Sequence, residues 1–87
     1  MTSNQPAFYL YHTLGCHLCE DAEVLVHPVA DYLQQSCLKV DIADDDNLIA
    51  LYGIRIPVLY HITTGKTLSW PFDAESILEF MRQCQLS

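Results

Sequence analysis

Two cysteines three positions apart, in Gly15-Cys16-His17-Leu18-Cys19, lie where a β-type run gives way to a helical one, and this stretch constrains the fold most. Before it, Ala7-Phe8-Tyr9-Leu10-Tyr11 is short, apolar and aromatic. After it, Leu18, Ala22, Leu25, Val26, Val29 and Leu33 recur at helical spacing. The pair therefore falls at a helix N-terminus, where backbone N–H groups lack intrahelical partners and the dipole is positive. A thiolate is an anion, so this position favours it and lowers the cysteine pKa below the free value of about 8.5. Cys16, at the helix edge, reaches solvent; Cys19, nearly a turn further in, is partly covered by the chain. Cys16 thus reads as the attacking thiol and Cys19 as the resolving one.

The remaining chain reads as a platform for that pair. Residues 1–6 form a loose tail, Ala7 to His12 a strand and Thr13-Leu14-Gly15 a short loop. A helix is expected from Cys16 to Gln35, with a kink or break at Pro28, whose missing N–H cannot bond back to Val24. Leu38, Val40 and Ile42 alternate with Lys39 and Asp41, giving a strand from Cys37 to Ile42. Asp44-Asp45-Asp46 supplies capping carboxylates for a short helix, Asn47 to Tyr52, with Gly53 as its stop. Ile56 to Ile62 is a strand, 63–66 a turn and Thr67 to Trp70 a short strand that completes a hairpin. Asp73 caps a last helix with the apolar stripe Ile77, Phe80, Met81 and Cys84. The order β-α-β-α-β-β-α over residues 1–87 predicts one α/β domain with a mixed four-stranded sheet and helices on both faces.

Composition narrows the function classes. Eleven acidic and four basic side chains give a net charge of −7, and Lys39, Arg55, Lys66 and Arg82 are scattered. Phosphate neutralisation needs clustered cations, so neither nucleic acid nor an anionic membrane surface is an expected partner. With 51% hydrophobic residues the chain can fill a core, yet no window approaches the ~20 apolar residues of a membrane span. The polar first six residues show no basic or apolar signal region, and a C-x-x-C pair suits a reducing compartment, so a cytoplasmic monomer is expected.

The sequence also resembles a known family. A C-x-x-C after the first strand of a βαβ unit is a thioredoxin-like redox signature. Arg55-Ile56-Pro57-Val58 opens the third strand where glutaredoxins and thioredoxins carry a cis-proline, and Val40-Asp41-Ile42 ends the second strand in a glutaredoxin-like way. Over about residues 7–84 the chain resembles the small glutaredoxin-like proteins of the thioredoxin superfamily, particularly a group with a Cys-His-Leu-Cys-Glu run like Cys16 to Glu20. The resemblance implies a glutaredoxin-type thioredoxin fold, Cys16 as attacking thiolate and Cys19 as resolving thiol. It implies a cis Pro57 lying against the pair, with Ile56 offering its backbone N–H and C=O to an extended peptide or glutathione. Thr13 stands where glutaredoxins carry a lysine, Trp70-Pro71 where they carry a glycine pair, and Leu10 where thioredoxins carry an acid. Arg55 is the nearby cation, so Thr13, Arg55, Ile56 and Pro57 form the expected substrate-binding set. No resident cofactor is expected; glutathione or a reductase would return electrons, and a disulfide-containing protein or glutathione would be the partner.

Other readings of the same residues stay open. His17 either tunes the Cys16 thiolate as a neighbouring imidazolium or is a solvated residue of the first turn. Cys16 and Cys19 could instead serve a metal or iron–sulfur module, although zinc normally takes four ligands and no second pair is present. A redox-inert adaptor would use only the Ile56 edge to hold peptides. Cys37 and Cys84 read as small core hydrophobes, and Tyr11 and Trp70 as walls of the groove.

Overall fold

The computed structural model describes residues 6–85; apart from Pro6, the tail expected over 1–6 lies outside them. The sheet grows from β1 (Phe8–His12), flanked by parallel β2 (Cys37–Asp41) and antiparallel β3 (Val58–His61), with β4 (Thr67–Ser69) antiparallel to β3. The strand order is therefore β2-β1-β3-β4. Among the described residues three α-helices accompany the sheet: α1 (His17–Tyr32), α2 (Asp46–Tyr52) and α3 (Ala74–Gln85). This is the mixed four-stranded α/β arrangement that the element order predicts.

Side-chain alternation along the strands decides which helix covers which face. Phe8 and Leu10 of β1, with Leu59 of β3, meet Ala22 and Val26 of α1 and Ile77 and Met81 of α3 in one core. Phe8, Leu10, Val26, Leu59, Ile77 and Met81 are all 0% exposed, and each such burial stabilises by roughly 1.5–3 kcal/mol. The intervening residues Tyr11 and Val58 point the other way and join Ile42, Leu48 and Tyr52 under α2. His61 is the buried polar residue of the first face; its Nδ1 lies 2.8 Å from the Thr64 hydroxyl, and its ring sits 4.9 Å from that of Phe8.

Several boundaries differ from expectation for physical reasons. α1 runs without a break through Pro28. Both Pro28 and Val24 are exposed, so the proline lies on the solvent side of α1, where water can serve a carbonyl that lacks its intrahelical donor. The helix ends at Tyr32 rather than Gln35, because Gln34 turns left-handed at φ 56°. The Gln34 N–H then donates to the Asp31 carbonyl at 3.1 Å and the Gln35 N–H to the Ala30 carbonyl at 2.9 Å, a Schellman closure without glycine. Asp45 caps α2, its Oδ1 accepting from the N–H groups of Asn47 (2.8 Å) and Leu48 (3.2 Å). Asp41 likewise caps a 3-10 turn over Ile42–Asp44 that shortens the second strand. Gly53 follows α2 at φ −52°, not left-handed; glycine fits because a Cβ there would meet the Ile49 carbonyl oxygen at 2.6 Å. α3 begins where expected, with Asp73 Oδ1 accepting from the Ser76 N–H at 2.8 Å.

Candidate active site

The end of β1, the loop 13–15 and the first turn of α1 build the site. Gly15 takes φ 78°, a left-handed conformation that glycine adopts without a Cβ clash, and Cys16 follows as the N-cap of α1. The Cys16 sulfur accepts the Cys19 N–H at 3.1 Å, the bond an N-cap side chain normally makes through oxygen. Cys16 and Cys19 are joined as a disulfide with their Cα atoms 5.2 Å apart. The two sulfurs are not equivalent: Cys16 is half-buried, whereas Cys19 is 4% exposed beneath it. That asymmetry is the one the helix-edge argument predicts.

Sheet register brings the proline segment to the same end. Val58 pairs with Tyr11, the penultimate residue of β1, so the residues just before Val58 arrive beside the strand end that leads to Cys16. Ile56-Pro57 is a cis peptide bond, as the family position implies, and Pro57 is fully buried. A second cis bond, Trp70-Pro71, lies nearby, and the Trp70 N–H donates to the Pro57 carbonyl at 3.2 Å. Nothing in the sequence alone marks this second bond. One expectation needs correction: the Ile56 N–H already donates to the Tyr52 carbonyl at 3.0 Å, because the chain folds back in a tight turn after α2. An extended ligand at Ile56 would have to compete for that donor.

The Arg55 guanidinium donates to the Ser69 hydroxyl at 3.0 Å and lies 5.6 Å from the Tyr52 ring centre, which fixes an otherwise exposed cation at the edge of this segment. Thr13 faces the opposite side, where its hydroxyl donates to the Asp41 carboxylate. The Ala43 N–H first, then Thr13 and the nearby His12, hold the Asp41 carboxyl below its ordinary range. His17 does not pack on the sulfurs: its side chain is 94% exposed, with Nδ1 3.7 Å from Glu20. This geometry suits the solvated reading. Tyr11, expected as a groove wall, is instead buried; its ring stacks 4.8 Å from Tyr52, and burial with the neighbouring Tyr52, Tyr60 and Tyr9 pushes its phenol up to about 12.

A polar cleft of about 100 Å³ opens beside the disulfide, lined by His12, Thr13, Cys16, Cys19, Glu23 and Lys39 among others. Glu23 and Lys39 form an ion pair there, 3.2 Å between Oε2 and Nζ. In the sequence Glu23 reads only as nearby negative charge, since its partner is 16 residues away. The other two cysteines stay free: Cys84 is buried, and burial pushes the Cys37 thiol up to about 12. Among the described residues no group of three or more His, Cys, Asp or Glu is placed to hold a metal ion, and no helix is long and apolar enough to cross a membrane.

Comparison with known proteins agrees with this architecture. The protein XcR50 from X. campestris, solved by X-ray crystallography, is 34% identical, with a TM-score of 0.77 over 88% of this chain and 97% of that one. Ne2328 from Nitrosomonas europaea is 24% identical, with a TM-score of 0.72 over 92% and 96%. The J-Trx1 fragment of ERdj5 shares the fold at 21% identity and a TM-score of 0.68, covering 92% of this chain and 43% of that one. No curated protein matches the sequence. Residues 7–82 match the glutaredoxin-like domain over nearly the whole described chain, and with a thioredoxin-like sheet carrying a C-x-x-C pair at the first helix, the chain belongs to the glutaredoxin-like domain family.

Proposed function

We propose that this protein is a dithiol thiol–disulfide oxidoreductase that reduces protein or small-molecule disulfides through Cys16 and Cys19. The observation that carries the reading is the asymmetric pair: a half-exposed sulfur at a helix N-cap, bonded to a buried sulfur one turn inside. In this scheme the Cys16 thiolate attacks a substrate disulfide and expels one substrate thiolate, leaving a mixed disulfide on Cys16. Cys19 then attacks the Cys16 sulfur, releases the second substrate thiol and closes the Cys16–Cys19 disulfide. Two electrons pass from the cysteine pair to the substrate, and glutathione or a reductase returns them.

The cis-proline segment supports substrate docking alongside, with Arg55 positioned for a carboxylate such as those of glutathione or an acidic peptide. A reducing compartment, the cytosol, suits a pair that must be regenerated.

The test uses Cys16→Ser and Cys19→Ser with a disulfide-bonded protein as substrate. Cys16→Ser should abolish reduction, and Cys19→Ser should accumulate a mixed disulfide visible by mass spectrometry. Full activity in Cys16→Ser would rule the scheme out.

A further inference from the structure

Helix α1 carries two apolar faces. Ala22, Val26 and Ala30 form the first and are buried in the core. Val24, Pro28 and Tyr32 form the second at successive i, i+4 positions, and all three are exposed, Val24 and Tyr32 to 71% each. A surface helix normally turns polar residues outward along such a stripe, so an apolar one facing solvent marks a contact surface. α3 packs beside α1, and a groove runs between them. Pro28, Val29 and Tyr32 line one wall and Ala74, Glu75 and Leu78 the other, around a hollow of about 320 Å³. Glu75 and Leu78 also line an adjoining hollow of about 270 Å³ that continues past Glu79 and Arg82 to Gln83. The trough thus follows α3 from Ala74 to Gln83, roughly 14 Å, the length of two to three helical turns.

Charge decides what fits there. Glu75 and Glu79 outnumber Arg82 in the lining. On α1 the exposed Asp21 and Asp31 flank the stripe, Asp21 on the side of Pro28 and Tyr32 and Asp31 on the side of Val24. A second copy of this chain would set the same acidic rim against itself, with a net charge of −7 on each partner. We propose that the α1–α3 groove docks a basic amphipathic helix of a partner protein, its apolar side chains seated on Pro28, Tyr32 and Leu78 and its lysine or arginine side chains facing Glu75, Glu79 and Asp21. An apolar stripe rimmed by cations meets both features of the trough, and a helix laid into a groove reads it through side chains at i, i+3 or i+4, and i+7. Pro28 lies roughly 18 Å along α1 from Cys16. Docking there leaves the disulfide open and does not depend on its chemistry.

The test uses three amidated peptides of about 14 residues, long enough to hold a helix on binding. One is leucine and lysine with the leucines on a single helical face, one carries glutamate in place of lysine, and one is the lysine peptide scrambled to remove the face. Each is titrated into the isotope-labelled oxidised protein and followed by amide NMR. The lysine peptide should bind, with shifts confined to the second half of α1 and to α3, and both others should bind at least about tenfold more weakly. Tyr32→Ser, at an exposed site where the fold does not need the ring, should weaken the lysine peptide by about tenfold. Glu75→Lys with Glu79→Lys should reverse the preference between the lysine and glutamate peptides. Binding equal for the lysine and glutamate peptides, shifts centred on Asp44–Asp46 instead, or self-association of the chain through the groove in sedimentation equilibrium would overturn the proposal.

Discussion

Replacing Gln34 with glycine should stabilise the protein. Gln34 holds φ 56° at the end of α1, where an L side chain is strained by about 1–2 kcal/mol and glycine is not. Glycine offsets part of the gain through the extra freedom of the unfolded chain, about 0.5–1 kcal/mol. The net expectation for Gln34→Gly is about 0.5–1 kcal/mol, or roughly 2–8 °C in Tm for a domain of this size. Both closing hydrogen bonds, from Gln34 and Gln35 to the Asp31 and Ala30 carbonyls, use backbone atoms and survive the change. Urea unfolding of the oxidised protein, followed by far-UV circular dichroism, measures the difference. Gln34→Val should move the other way, because a β-branched residue resists the left-handed region more strongly. A glycine variant less stable than the parent would refute the argument.

Gly53→Ala should destabilise by about 1–3 kcal/mol, since its Cβ would meet the Ile49 carbonyl oxygen at 2.6 Å and backbone must shift; an unchanged denaturation midpoint would contradict this. Acidification should weaken the fold in two windows. Burial lowers the His61 pKa, so the unfolded chain protonates first and stability falls as pH drops below about 6.5. Asp73, held below its ordinary range by the Ser76 N–H and hydroxyl, contributes stability above the unfolded carboxyl value that is lost as pH falls through the folded one. Asp73→Asn should therefore reduce the loss below about pH 4, and denaturation midpoints as steep in acid as the parent's would count against it.

Much of this architecture is legible in the chain because local pattern and global fold agree. The alternation in Phe8 to His12 and the helical repeat from Leu18 to Leu33 specify a strand leading into a helix, which puts Cys16 at the N-cap. What escapes the sequence is set by tertiary contact or backbone geometry. Gln34 carries a conformation usually given to glycine or asparagine, so the end of α1 has no written signal. Pro28 does not break α1, in which it lies on the exposed side together with Val24. The Glu23–Lys39 pair joins a helix to a strand, and the Ile56 N–H is engaged by a turn that no residue type announces.

The most direct test is the titration of Cys16 in the reduced protein. An N-terminal helix position favours a charge by about 0.3–1 kcal/mol, and the N–H donated by Cys19 adds a hydrogen bond that strengthens when the sulfur is an anion. Together these should hold the Cys16 pKa below the free value of about 8.5, read as thiolate absorbance lost in Cys16→Ser. A value at or above about 8.5 would mean that the helix end does not activate this sulfur.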